Sequence, residues 1–160
     1  MGEPVAKALK QKTRFANREQ EVLLALRLVT ARLVDPWERF LKATADLSTT
    51  QYNVLRILRG SHPTRLSCSE IASRMIARDP DITRLVDRLT ERKLLDRERS
   101  EEDRRVVEVG ITARGLELVR DLDPHVNRFP KAMLGGLGQK NLAQLSSLLD
   151  QLVVKMGSFP

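Results

Sequence analysis

The sequence predicts a mainly α-helical fold carrying one small β-hairpin. Three observations predict it. Along most of the 160-residue chain, apolar residues recur at spacings of three and four, the period of an amphipathic helix. Leucine, a strong helix former, supplies 25 residues while aromatics make up only 4%, so the core is aliphatic. Over residues 95–111 alone the period switches to two, the pattern of paired strands.

The first long helix runs over residues 17–45, where Val22, Leu26, Val29, Leu33, Trp37 and Phe40 share one stripe. Pro36 predicts a kink or break near Asp35, because proline lacks an amide hydrogen and crowds the preceding turn. Ser48 followed by Gln51 has the spacing of a capping box, in which each side chain satisfies a backbone amide of the other. The helix behind it carries Tyr52, Leu55 and Leu58 and is expected to end at Gly60. Ser67 and Glu70 repeat the box, flanked by Leu66 and Ile71 at staple positions, and start a short helix reaching about Ile76. A third start is expected at Asp79, with Pro80 in the first helical position and Asp81 in the first turn. Ile82, Leu85, Val86 and Leu89 form its buried stripe; Arg84, Arg88 and Glu91 form its wet face.

Beyond Leu94 come the alternating residues Leu95, Arg97 and Arg99, then Val107, Val109 and Ile111, separated by the charged run at 100–105. This is a hairpin with a charged tip. Thr112 caps another helix holding Leu116, Val119 and Leu122, which Pro124 and Pro130 bend or interrupt. The glycines at 135, 136 and 138 make a break, and Leu142, Leu145, Leu149, Leu152 and Val153 stripe a last amphipathic helix.

Composition narrows the function. Cys68 is the single cysteine, and His62 and His125 are the only histidines. That leaves no material for a disulfide framework, a Cys-rich zinc site or a histidine cluster, so neither metal nor cofactor is expected. No glycine-rich phosphate loop or nucleophile elbow is present, which argues against an enzyme. The longest uncharged stretches are nine residues, too short to span a bilayer. With no secretory signal visible either, a cytosolic protein is expected. The formal charge is +7, with 20 arginines against 8 lysines. Arginine's planar fork suits phosphates and guanine edges. Yet residues 72–105 hold ten basic and nine acidic groups. A DNA contact there depends on placed side chains rather than on a uniform field.

Helix, short helix, third helix and charged hairpin is the order of a winged helix-turn-helix. In that arrangement the third helix enters the major groove and the hairpin tip reaches the adjacent minor groove. The run Ile82-Thr83-Arg84-Leu85-Val86-Asp87-Arg88-Leu89, followed by Asp103-Arg104-Arg105 and Ile111-Thr112, resembles the MarR family, the multiple-antibiotic-resistance-type regulators. Leu47-Ser48-Thr49-Thr50-Gln51-Tyr52 and Ser69-Glu70-Ile71-Ala72 resemble its pattern too, in the right order.

The resemblance implies a homodimeric DNA-binding transcriptional regulator, a repressor, on an inverted repeat, released by a small aromatic, phenolic or lipophilic effector. It divides the single domain 1–160 into dimerisation helices at 17–45 and 113–157 and a DNA-binding lobe at 47–112. Its implied DNA-facing residues are Asp81, Thr83, Arg84, Arg88, Arg97, Asp103, Arg104 and Arg105, with Asp103 orienting Arg105 at the wing tip. Asp81 either serves the helix N-terminus or accepts from a cytosine amino group, and Arg84 reaches either a base or a phosphate. Trp37, Phe40 and Tyr52 are the aromatic residues near the helix junction where an effector would sit; the competing reading makes them core. Cys68 is read as structural. Lys93 stands where the family has glycine, and a lysine in a left-handed helix end costs roughly 1 kcal/mol or shifts that end. The alternative function is a winged helix that binds only proteins, which would not need arginine on both the third helix and the wing tip.

Overall fold

The computed structural model describes residues 3–76, 81–100, 103 and 105–157. Two compact units emerge, Met1–Val119 and Arg120–Pro160.

In the first unit a short helix α1 (Glu3–Ala8) precedes the long helix α2 (Arg18–Ala45). Asn17 starts α2 by accepting the Gln20 amide at 2.7 Å, and a Glu19–Glu21 acidic first turn suits the positive end of the helix dipole. Pro36 does not break it: α2 is continuous through that position. Proline forfeits one intrahelical hydrogen bond, and a helix of this length keeps the others.

Both capping boxes form as the sequence predicts. Ser48 and Gln51 start α3 (Thr49–Ser61), and Ser67 and Glu70 start α4 (Cys68–Ser73). Helix α3 passes through Gly60 and ends one residue later. Helix α4 stops before the expected Ile76, because the Arg74 and Met75 amides turn back onto the Ile71 and Ala72 carbonyls in a tight last turn. The Ser67 amide and hydroxyl both donate to Glu70 and hold its carboxyl below the ordinary carboxylate range.

Helix α5 (Ile82–Glu91) follows, then β2 (Leu95–Arg99) and β3 (Val107–Ile111), which pair antiparallel with Leu95 opposite Ile111 and Arg99 opposite Val107. The sequence missed a third strand. Leu66 and Ser67, here β1, pair antiparallel with Val109 and Glu108, giving the order β1-β3-β2. Arg65 spans the sheet, meeting Asp96 at 2.7 Å and Glu98 at 3.1 Å; its hydrogen bond with Asp96 raises its pKa further. Leu55, Leu58, Ile71, Val86, Leu89 and Val109 fill the core between α3, α4, α5 and the sheet, each at most 1% exposed. This core fixes where the outer face of α5 points.

Helix α6 (Ala113–Leu134) runs through Pro124 and Pro130 without interruption. In the second unit the glycine break becomes a turn of 3₁₀ helix, Gly135–Leu137, and α7 (Gly138–Met156) follows, burying none of its residues. No helix among the described residues is long and apolar enough to cross a membrane.

Candidate nucleic-acid interface

Helix α5 starts two residues later than the sequence predicts. Its N-cap is Asp81, whose Oδ1 accepts the Arg84 amide at 3.1 Å. Asp79 and Pro80 lie outside the described residues. Capping thereby engages one oxygen of Asp81, and the other lies 3.9 Å from the Arg84 guanidinium.

Ile82, Val86 and Leu89 are buried, while Leu85, expected in the same stripe, is only half-buried. Thr83, Arg84 and Arg88 are exposed. The helix ends in a Schellman motif: the Lys93 amide bonds the Thr90 carbonyl at 2.8 Å and the Leu94 amide bonds the Leu89 carbonyl at 3.0 Å. Lys93 takes the left-handed conformation at φ 59°. It therefore does what glycine usually does there, against the Cβ penalty.

The wing is held from both ends. At its tip Asp103 accepts the backbone amide of Arg105 at 2.9 Å, and its carbonyl accepts Val106 at 2.8 Å. Asp103 thus meets Arg105 through its backbone amide, and Arg105 itself is exposed. Arg104 lies outside the described residues. At the root, Arg97 Nη2 lies 2.6 Å from Asp87 Oδ1 and donates to the Thr83 carbonyl at 3.3 Å. Arg97 accordingly reaches α5 while staying partly exposed. Thr112 closes the base: its hydroxyl accepts the Gly115 amide at 3.0 Å and lies 2.8 Å from the Lys93 carbonyl.

The aromatic trio does come together. Trp37 stacks on Phe40 at 5.4 Å between centroids and meets Tyr52 edge-on at 5.6 Å. Tyr52 is buried and the other two half-buried. A cavity of about 690 Å³ lies beside α1 and the start of α2. Another, of about 660 Å³, lies where α2, α3 and α5 meet and is lined by Arg39, Lys42, Gln51, Leu85, Arg88 and Arg92 among others. Neither of these two is lined by the trio. Among the described residues no group of His, Cys, Asp and Glu could hold a metal ion.

Sequence reasoning passed over Arg92. Its guanidinium donates to two successive carbonyls at the end of α2, Asp46 at 2.7 Å and Ala45 at 2.8 Å. No periodicity or cap rule pairs a residue with a helix end so far back in the chain.

Residues 47–107 match the family model described as MarR family. The HTH-type transcriptional repressor IacR of Pseudomonas putida is 32% identical over 122 residues, covering 76% of this chain and 71% of that protein. The chain belongs to the MarR family. A crystal structure of a MarR transcription factor from Planctomyces limnophilus is 40% identical, with a TM-score of 0.65 over 86% of this chain and 99% of the other. The structure of Bordetella bronchiseptica BpsR, whose DNA binding is regulated by 6-hydroxynicotinic acid, is 25% identical, with a TM-score of 0.72 over 83% and 98%. This MarR protein is a winged-helix DNA-binding transcriptional regulator, and its MarR-type lobe carries α5 and the β2–β3 wing.

Proposed function

We propose that the protein is a cytoplasmic homodimeric repressor on an inverted-repeat operator. Helix α5 of each subunit enters the major groove of one half-site, and the wing tip enters the neighbouring minor groove. The observation that carries this reading is the outer face of α5: Thr83, Arg84 and Arg88 are exposed there, and Arg105 is exposed at the tip of the wing. Asp81, Arg97 and Asp103 serve the same contact by fixing backbone and helix rather than by reading bases.

Dimerisation is assigned to residues 17–45 and 113–157. Helix α2 exposes Val22, Leu23 and Val29, and α7 exposes Leu148, Val153 and Val154. Apolar faces of this extent are covered in solution, here by a second copy of the chain.

A small aromatic or lipophilic effector is assigned to the surroundings of Trp37, Phe40 and Tyr52, where α2 meets α3. Support comes from the clustered rings and from BpsR, whose ligand is an aromatic acid. Such an effector releases DNA if it favours the shape that binds DNA less well.

The test is a gel shift on the duplex upstream of the protein's own gene, with a scrambled duplex as control, repeated with 4-hydroxybenzoate. Trp37 is the single tryptophan, so its fluorescence reports the effector directly. Retardation of the upstream duplex alone, relieved by the phenolic acid as Trp37 is quenched, supports the reading. Equal retardation of both duplexes sinks it.

A further inference from the structure

Arg92 joins two elements that the proposed function asks to move as one. It stands at the C-terminal end of α5, and its two terminal nitrogens donate to the Asp46 and Ala45 carbonyls at 2.7 and 2.8 Å. Those carbonyls close α2, where the helix runs out of its own amide donors and the negative end of its dipole lies. A guanidinium fits the place: it is permanently charged, and its fork spans two neighbouring acceptors with a fixed relative orientation.

The receiving turn is itself held. Asp46 is left-handed at φ 49°, its amide returns to Lys42 at 3.1 Å, and its carboxylate pairs with the Lys42 ammonium. That pairing holds the Asp46 carboxyl below its ordinary pKa. On the donor side, the Schellman turn at Thr90 and Leu89 fixes the backbone immediately after Arg92. Both ends of the contact are therefore set, and α3 packs against both helices.

We propose that Arg92 is a positioning residue that fixes the angle of α5 against α2 and so sets the half-site spacing that the dimer accepts. This rests on the reading of α2 as a dimerisation helix and α5 as the groove-reading helix. Two α5 helices that belong to one dimer must meet half-sites about one DNA turn apart. A single base pair of mismatch shifts one helix by about 3.4 Å and roughly a tenth of a turn. Whatever fixes α5 relative to α2 decides how much of that mismatch the dimer tolerates.

The experiment uses the full-length protein and its Arg92→Met and Arg92→Lys variants. Methionine keeps an aliphatic stem without a donor; lysine keeps the charge but lacks the fork. Each is titrated on operator duplexes whose half-sites are moved by one or two base pairs, and on random duplex. The wild type should lose about tenfold or more in affinity per displaced base pair. Arg92→Met should flatten that profile to about threefold or less while its random-duplex affinity and salt slope match the wild type. Arg92→Lys should fall between them. A wild-type spacing profile in Arg92→Met overturns the proposal, as does a parallel loss on random duplex, since a merely structural defect lowers every affinity together. Residual dipolar couplings of the α5 amides relative to those of α2 give a second reading without DNA. Unchanged relative orientation in Arg92→Met overturns the proposal. If the wild type binds no duplex specifically, it is the repressor reading that fails, and the couplings still decide the role of Arg92.

Discussion

Arg97 in β2 holds Asp87 in α5 at 2.6 Å, and the same nitrogen reaches the Thr83 carbonyl at 3.3 Å. One side chain thus ties the root of the wing to the middle and the first turn of the helix that the wing accompanies. The pair is partly exposed, at 31% for the Arg97 side chain and 47% for Asp87. That limits its worth to about 0.5–1 kcal/mol. In a double-mutant cycle by urea unfolding, Arg97→Ala and Asp87→Ala should cost less together than the sum of the two, by about that amount. Strict additivity would show that the contact carries no energy.

Lys93 offers an opposite sign. At φ 59° its Cβ is strained against the backbone, and glycine has no Cβ to strain. Glycine also gains freedom in the unfolded chain, which takes back part of the benefit. Lys93→Gly should stabilise by about 0.5–1 kcal/mol, read as a higher urea midpoint at unchanged slope. A lower midpoint would mean that the Lys93 side chain does more for the native state than its strain removes.

Gly115 should behave the other way. A Cβ there would lie 2.3 Å from the Leu94 carbonyl oxygen and 2.8 Å from Ile111 Cγ1. The first neighbour is backbone, held where Thr112 and Leu94 bond at 3.1 Å, so it cannot swing aside. Gly115→Ala should destabilise by about 2 kcal/mol or more, although alanine is the better helix former. Thermal unfolding decides it, and a rise in Tm would show that α6 shifts freely off the sheet.

The contrast between these residues shows what the sequence could reveal. Ser48 with Gln51 and Ser67 with Glu70 were legible because a capping box is a local rule with fixed spacing. The strands at 95–99 and 107–111 were legible because alternation and burial coincide along a single short stretch. Strand β1 was not, since two residues carry no period and their pairing with Val109 and Glu108 is a tertiary choice. The helix start fell on Asp81 rather than Asp79 because both carry a capping carboxylate, and only the folded backbone brings one of them to the Arg84 amide. In the candidate site, Arg84 and Arg88 could be placed from their helical spacing, and Thr83 from the resemblance to the MarR family. The reach of Arg97 to α5 and of Arg92 to α2 depends on packing between elements. No single-chain pattern encodes that.

Helix α7 supplies a test of assembly. It buries none of its residues in the single chain, and Leu148 and Val154 are 51% and 75% exposed. Leu149, on this helix, is 38% exposed. If a second chain covers this face, Leu149→Asp places an unpaired carboxylate in an apolar seam, at a cost of several kcal/mol. Sedimentation velocity should then show a dimer for the wild type at micromolar concentration and a monomer for the variant. A variant that sediments as a dimer would place the interface elsewhere.

The last expectation separates Arg105 at the wing tip from Thr83 in α5. Thr83 is exposed in the first turn of α5, where side chains reach base edges in the major groove. Arg105 is exposed at the wing tip with its backbone fixed by Asp103 at 2.9 Å, which suits it to minor-groove width and charge rather than to a base pattern. Arg105→Ala should therefore weaken binding to operator and random duplex alike, and should lower the salt slope by about one unit per lost phosphate-field contact in each subunit. Thr83→Ala carries no charge change. It should narrow the gap between operator and random duplex by about 1–3 kcal/mol while leaving the slope nearly as it was. Titration of both variants on both duplexes across a salt series reads the four quantities together. If Arg105→Ala leaves affinity and slope untouched, the wing does not reach DNA; if Thr83→Ala changes the slope instead of the gap, α5 meets phosphates and not bases at that turn.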